Sequence, residues 1–319
     1  MRAIISDRYG SPAIMRVGEI DLPEITEDGA LVRVRATSIN AFDWHMLRGK
    51  PYLARLGEGF RRPKTTVLGL DVAGIVEAVG ANVTHIAPGD EVFGSRTGAF
   101  AEYIAGRNMV PIPKGLTFEQ AAAVPTAGQT ALVGLRDKGE IQSGQRVLVN
   151  GAGGGVGTFA VQIATALGAE VTAVTSTRNL EMARSIGARH VIDYTVEDFT
   201  RGRERYDLIM DVGGNHSLSR LRRVLTQHGT IVLVAPGLGQ WAGPIVRVLG
   251  AVISSRFGQQ QVRPFLAPVS RENLLVLKEL IESGKVRPVI DRTYPFDEIP
   301  EAVRYVESGR AQGKVVVSL

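Results

Sequence analysis

The chain has 319 residues, 44% of them hydrophobic and 22% charged, enough apolar material for two globular cores. No run of about 20 apolar residues occurs, so no membrane span is expected, and the lack of any cysteine excludes disulfides, thiolate-bound metals and cysteine nucleophiles. The formal net charge of +5 is spread along the chain, which argues for a small anionic ligand and against nucleic acid.

The N-terminal stretch Met1–Ile5 lacks the layout of a secretory leader and reads as a first strand, so the cytoplasm is the expected compartment. Residues 1 to about 120 read as β-rich. Short runs at Met15–Ile20, Ala30–Ile39, Val72–Val79, Glu91–Phe93, Phe100–Ile104 and Met109–Ile112 are closed by Gly, Pro, Asn or Asp. They predict a small barrel-like unit. From Thr117 the character changes, and Phe118–Val124 opens an alanine-rich helical stretch. From Arg146 strands alternate with helices. Val147–Val149 is an apolar strand, followed by a glycine turn and a helix through Leu167. Strands follow at Glu170–Thr175, His190–Asp193, Asp207–Asp211 and Thr230–Val234, with helices at Leu180–Ile186 and Ser217–Leu225. Continuous apolar strands between helices predict a parallel sheet covered on both faces. The apolar region Ile231–Ser255, broken by Pro236, Pro244 and Arg247, reads as strand, loop and helix. The tail returns to strand at Val289–Phe296, helix at Ile299–Ser308 and strand at Lys314–Leu319.

The strongest chemical signal is Val147-Leu148-Val149-Asn150-Gly151-Ala152-Gly153-Gly154-Gly155-Val156-Gly157. It combines a buried strand, a glycine turn and a helix start, the context a dinucleotide requires. Glycines let the backbone approach a pyrophosphate, and the helix start offers free N–H groups. The register is Ala152, Gly154, Gly157, so a small residue replaces the first glycine. About 20 residues on, an NAD site carries an acid for the ribose hydroxyl. Here the chain reads Thr175-Ser176-Thr177-Arg178. Hydroxyls and a guanidinium suit a 2′-phosphate, so NADPH is the expected cofactor.

With these segments in hand, the chain resembles the medium-chain dehydrogenase/reductase superfamily over nearly its whole length. Asn40-Ala41-Phe42-Asp43, Gly69-Leu70-Asp71-Val72-Ala73-Gly74 with Val79-Gly80, Ala121 to Ala131, and the glycine turn with Gln162 downstream resemble its zinc-free quinone oxidoreductase branch. The resemblance implies an α/β chain with a doubly wound parallel Rossmann sheet over 122–285. It implies a β-rich GroES-like catalytic domain from 1–121 and 286–319. In zinc-dependent alcohol dehydrogenases of the superfamily, a Cys, a His-Glu pair and a third ligand hold the metal. Those positions are here Asn40, Leu70-Asp71 and about Thr126, which cannot assemble a three-ligand site. The relay hydroxyl's position holds Phe42, and the five histidines have no metal spacing, so no catalytic metal is expected.

The resemblance further implies that Ala152 and Gly154, Gly155, Val156 and Gly157 hold the pyrophosphate. Ser176, Thr177, Arg178 and Tyr194 would surround the 2′-phosphate. Thr130, Val212, Gly213, Val234 and Ala235 would lie along the nicotinamide, and Lys314 would touch the cofactor or remain a surface lysine. Asn40 is a candidate donor to an acceptor oxygen, or a turn-stabilising asparagine. Tyr52 is a candidate proton donor, or an aromatic pocket wall. His45 reads as a relay or, better, as a hydrogen-bonded loop histidine. Asp43 reads as structural, and Trp44 and Trp241 as packing residues. The cleft is expected between the domains, and a homodimer joined through sheet edges is expected by resemblance. Three functions stay open: an NADPH-dependent reductase of quinones or α,β-unsaturated carbonyls, an enoyl-thioester reductase with Arg55 to Lys64 as basic entrance, and a non-catalytic NADPH-binding sensor.

Overall fold

The computed structural model describes residues 1–52, 55–234, 259–267 and 269–319. The expected loop and helix beyond Val234, with Ala235 and Trp241, lie outside the described residues. In chain order the strands are β1 (Arg2–Ile5), β2 (Arg16–Glu19), β3 (Ala30–Ile39), β4 (Asp71–Val79), β5 (Glu91–Ser95), β6 (Tyr103–Gly106), β7 (Met109–Pro111), β8 (Arg146–Asn150), β9 (Glu170–Thr175), β10 (His190–Asp193), β11 (Tyr206–Asp211), β12 (Leu225–Leu233), β13 (Gln261–Pro264), β14 (Ile290–Pro295) and β15 (Lys314–Ser318).

The chain divides into two compact units. The first comprises Met1–Gln129, Val269–Gly284 and Pro288–Leu319; the second comprises the described residues of Thr130–Pro268 with Lys285–Arg287. The helix Arg271–Glu282 falls in the first unit, although the sequence grouped it with the dinucleotide segment. Its tethers explain this. Ser270 N donates to Gln129 Oε1 at 2.8 Å, Lys114 N donates to Glu282 Oε1 at 2.9 Å, and Lys278 Nζ reaches the Ile112 carbonyl. Its buried stripe of Leu274, Leu277 and Ile281 follows helical spacing.

In the first unit, β14-β15-β3-β4-β5-β7 form one sheet, with β6 pairing β3. All pairings are antiparallel except β14 with β15. One core gathers Val32, Val34, Val72, Val76 and Val92; another gathers Ile4, Ile39, Phe100, Ile299 and Val315. β3 alternates buried and half-buried residues over its first half, then becomes wholly buried from Ala36 to Ile39. That buried end delivers Asn40.

In the second unit the sheet is parallel throughout, in the order β10-β9-β8-β11-β12-β13. Counted from β8 this is 3-2-1-4-5-6, the doubly wound order whose reversal lies between β8 and β11. Val147, Leu148 and Val149 have no exposed surface, as a strand covered on both faces requires. The helix Gly155–Ala166 buries every residue from Gly157 to Ala164. Gln162 ties it to the segment Lys285–Arg287, donating to and accepting from Arg287 at 2.9 Å. Among the described residues no helix is long and apolar enough to cross a membrane.

Candidate active site

The glycine turn lies at the carboxyl end of β8, where the strand order reverses. Gly151 carries the left-handed backbone of the turn at φ +89°. Ala152 follows it, buried, its N–H bonded to the Val174 carbonyl at 3.0 Å. The strained conformation thus falls one residue before the register position, which is why alanine serves there. A Cβ on Gly157 would sit 2.1 Å from the Gly151 carbonyl oxygen, so only glycine lets the helix start this close to the turn. A Cβ on Gly154 would meet nothing nearer than 3.7 Å. The surface over Gly154 is open, and Gly154 caps the helix with no side-chain bond. Open space above uncapped N–H groups is what a pyrophosphate needs, so the residues fit the cofactor.

At the end of β9, Ser176 is half-buried and Thr177 and Arg178 are exposed. Among the described residues Arg178 forms no ion pair and is available to an anion. Thr177 is engaged: its hydroxyl donates to Asp193 Oδ2 at 2.5 Å. Asp193, at the end of β10, also accepts from the Thr195 N–H and hydroxyl. Bonds from the Thr177 and Thr195 hydroxyls hold its carboxyl below the usual range. The sequence reading missed this carboxylate, which sits beside the expected phosphate site and fixes Thr177. Tyr194, next to it, is 53% exposed and free to lie on a ligand. Asn179, also missed, is buried against Gly153, and its Oδ1 has no hydrogen-bond partner among the described residues. On the other side of the switch point, Val212 N and Gly213 N both donate to the Asn150 carbonyl at 3.0 Å, and Val234 N donates to the Asp211 carbonyl. Asn150 Nδ2 donates to buried Asp211 at 2.7 Å. These bonds hold the ends of β8, β11 and β12 together. Thr130 is half-buried on the helix Pro125–Val133.

A buried polar cluster forms in the first unit where β3, β4 and β15 meet. Lys314 Nζ donates to Asn40 Oδ1 at 2.7 Å, the Ile39 carbonyl at 3.3 Å and Asp71 Oδ2 at 3.4 Å. Three acceptors match the three N–H donors of an ammonium. Asp71 Oδ2 also accepts from Asn40 Nδ2 and Ser38 Oγ, each at 3.0 Å. Its Oδ1 accepts from Thr126 N at 2.9 Å and Thr126 Oγ1 at 2.5 Å. The Lys314 and Asp71 side chains are 3% and 0% exposed. Burial draws the Lys314 ammonium down, and the nearby Asp71 and Asp43 carboxylates oppose that shift.

Lys314 is therefore not the surface lysine that one expectation allowed. A buried carboxylate at Asp71 needs a counter-charge, and the returning β15 strand supplies it. The three positions expected to replace zinc ligands are indeed neighbours, since Asp71 bonds both Asn40 and Thr126. They do not fit zinc: an ammonium already holds the cationic position, and Leu70 offers no donor. Among the described residues no group of three or more His, Cys, Asp or Glu could hold a metal ion. Asp43, also buried, accepts the Asn40 N–H at 2.7 Å and starts the helix Ala41–Arg48. Desolvation pushes its pKa up to about 7, with the Asp71 charge adding to the rise and the Asn40 N–H bond and Lys314 opposing it.

Around this cluster, Phe42 is 48% exposed. His45 lies on the helix Ala41–Arg48, stacked on Trp44 with ring centroids 3.6 Å apart. Its Nδ1 is buried without a partner among the described residues; burial lowers its pKa, and a hydrogen bond with the Lys50 backbone opposes that fall, so it is the hydrogen-bonded histidine expected, on a helix instead of a loop. Tyr52 is half-buried, with the Arg55 guanidinium 4.8 Å from its ring centre and 4.3 Å from that of Tyr9. Arg55 also donates to the Gly49 and Arg48 carbonyls. Arg55 thus shapes this loop from within, and the exposed basic surface of the run reduces to Arg61, Arg62 and Lys64.

The sequence matches two families, one described as "Alcohol dehydrogenase GroES-like domain" over residues 26–114 and one as "Zinc-binding dehydrogenase" over 186–317. A 2-methylene-furan-3-one reductase of Solanum lycopersicum is 34% identical over 99% of this chain and 79% of its own length. A chloroplastic NADPH-dependent alkenal/one oxidoreductase of Arabidopsis thaliana is 33% identical with the same coverage. The crystal structure of Escherichia coli quinone oxidoreductase complexed with NADPH matches with a TM-score of 0.84 at 27% identity, covering all of both chains.

Proposed function

The chain belongs to the medium-chain dehydrogenase/reductase superfamily, in its quinone oxidoreductase-like branch, and we propose that it reduces a quinone or an α,β-unsaturated carbonyl with electrons from NADPH and no catalytic metal. The observation that carries this reading is a nucleotide-ready glycine turn in one unit together with a lysine-centred polar cluster in the other. The relatives' names support the acceptor class: alkenal/one, 2-methylene-furan-3-one and quinone all present an electron-poor carbon conjugated to a carbonyl. Arg178, without an ion pair among the described residues, and Ser176 beside it support NADPH over NADH. An E. coli relative that binds NADPH points the same way.

Bound nicotinamide supplies a hydride, two electrons with a hydrogen nucleus, to that carbon, and a proton from solvent completes the reduced product. The chain's own work is binding and orientation. Ala152 and Gly154 to Gly157 hold the pyrophosphate on the N–H groups of the helix start. Ser176, Arg178 and Tyr194 hold the 2′-phosphate, with Thr177 braced by Asp193. Thr130, Val212, Gly213 and Val234 line the nicotinamide side. Asn40 turns to the developing oxyanion the Nδ2 hydrogen that otherwise reaches the Ser38 carbonyl at 3.5 Å. Lys314 and Asp71 are positioning residues: Lys314 binds the amide oxygen, Asp71 binds the amide nitrogen, and together they fix which way the amide faces. Tyr52 acts as a pocket wall, its ring braced by Arg55. The unpaired outer edge of β13, among the described residues, supports a homodimer joined edge to edge. Titration of the protein with NADPH and NADH tests the cofactor assignment. The expected result is at least tenfold tighter binding of NADPH, lost in Arg178→Gln; equal binding of the two would overturn it.

A further inference from the structure

The first unit contains a cavity of about 450 Å³ lined by Leu70, Ser95, Arg96, Thr97, Arg107 and Asn108, among others. Its volume falls within the range of small-molecule sites. It shares strands with the polar cluster. Ser95 stands directly opposite Asp71 in the β4–β5 ladder, and Arg96 N donates to the Leu70 carbonyl at 2.7 Å. The Ser95 residue is 5% exposed, and its hydroxyl is buried with no hydrogen-bond partner among the described residues. Such an orphan donor calls for explanation, because leaving one unmet is unfavourable. Arg96 is exposed at the start of the turn after β5 and forms no ion pair among the described residues. Arg107 is partly engaged, 3.7 Å from Asp28. Glu24 also lines the cavity and is paired with neither arginine.

We propose that this cavity selects acceptors bearing a carboxylate, with Arg96 as the charge partner and Ser95 and Asn108 as neutral donors. This rests on the reductase reading and narrows its substrate to conjugated carbonyls with an acidic group. A guanidinium opposite a carboxylate forms a charge-assisted pair that an ester cannot replace. The hydroxyl of Ser95 gains the partner it lacks, while Leu70 supplies an apolar wall for the acceptor's carbon skeleton.

The test is direct binding without turnover, so that it stands apart from the chemistry. Calorimetry on the NADP⁺-loaded protein compares a carboxylated enone with its methyl ester. The expected result is roughly 10–100-fold tighter binding of the acid. In Arg96→Gln that ratio collapses toward one, while Arg33→Gln, at a half-buried arginine of β3 outside the cavity that pairs with Glu77, leaves it unchanged. Equal binding of acid and ester by the unaltered protein would overturn the proposal. So would an Arg96→Gln protein that folds, by its circular dichroism, yet keeps the ratio. Weakened NADPH binding in Arg96→Gln would also overturn it, because the arginine would then serve the cofactor. If neither conjugated carbonyl is ever reduced while the acid still binds through Arg96, the reductase reading fails and the anion site stands.

Discussion

Replacing Lys314 by Met removes a buried ammonium and keeps a side chain of similar length. Asp71 then retains its bonds from Thr126, Ser38 and Asn40 but loses its only cationic neighbour within 4 Å among the described residues. Both side chains are at most 3% exposed, so solvent does not screen the loss. Breaking one side of such a pair costs about 3–5 kcal/mol. The four remaining bonds favour the lower half of that range. In a cooperative unit the size of the first one, this is a fall in Tm of about 8–13 °C. Differential scanning calorimetry at neutral pH measures it. The double variant Lys314→Met, Asp71→Asn removes the orphaned charge and should recover at least half of the loss. A single variant that melts within 2 °C of the parent, or a double variant that is the sum of its parts, would refute the buried-pair argument; the 2 °C bound corresponds to roughly 0.7 kcal/mol.

Asp43 makes stability depend on pH. Its folded pKa is raised from 3.8 to about 7, so the stabilising proton is fully bound below about pH 4 and lost as pH rises through 7. Facing it are Asp71 and Lys314, and Asp43→Asn, a mimic of the protonated acid, should flatten the decline in unfolding free energy between those limits. An unchanged urea-denaturation profile against pH would count against the buried carboxyl. Gly154→Ala should leave the melting temperature within about 2 °C, since its Cβ enters open space, yet weaken NADPH at least tenfold by filling the pyrophosphate's position. Gly157→Ala forces a Cβ onto the Gly151 carbonyl and should destabilise the second unit by several kcal/mol, visible without cofactor. Arg178→Gln should raise the KM for NADPH roughly 10–100-fold and leave that for NADH within about twofold.

Much of the fold was legible because its signals are local. The apolar run Val147–Val149, closed by glycines, reads directly as a buried strand that turns into a helix start. The alternation in Ala30–Ile39 likewise reads directly as a strand. β12 was harder: it starts at Leu225, five residues before the expected Thr230, through a bulge opposite Tyr206 and Leu208 that polar residues disguise. The helix Arg271–Glu282 carries clear periodicity, but its allegiance depends on long-range bonds to Gln129 and Lys114, which no local pattern encodes. The site divides the same way. The glycine turn announces itself by spacing. The cluster of Asn40, Asp71 and Lys314 does not, since Lys314 lies 243 residues from Asp71 and its burial is a property of the sheet. A lysine flanked by Gly313 and the apolar Val315–Val317 was the available hint, because a strand buried on both sides leaves a charged side chain no route to water. Asp193 does not stand out in the sequence, because an acid that binds a ribose hydroxyl belongs at the end of β9, one strand earlier.

Turnover tests the central claim most directly: oxidation of NADPH by the purified protein with a panel of quinones and enones, in excess EDTA, with NADH in parallel. The account predicts acceptor-dependent oxidation that prefers NADPH and is indifferent to the chelator. Tight NADPH binding with no oxidation by any acceptor, or activity abolished by EDTA and restored by zinc, would contradict it.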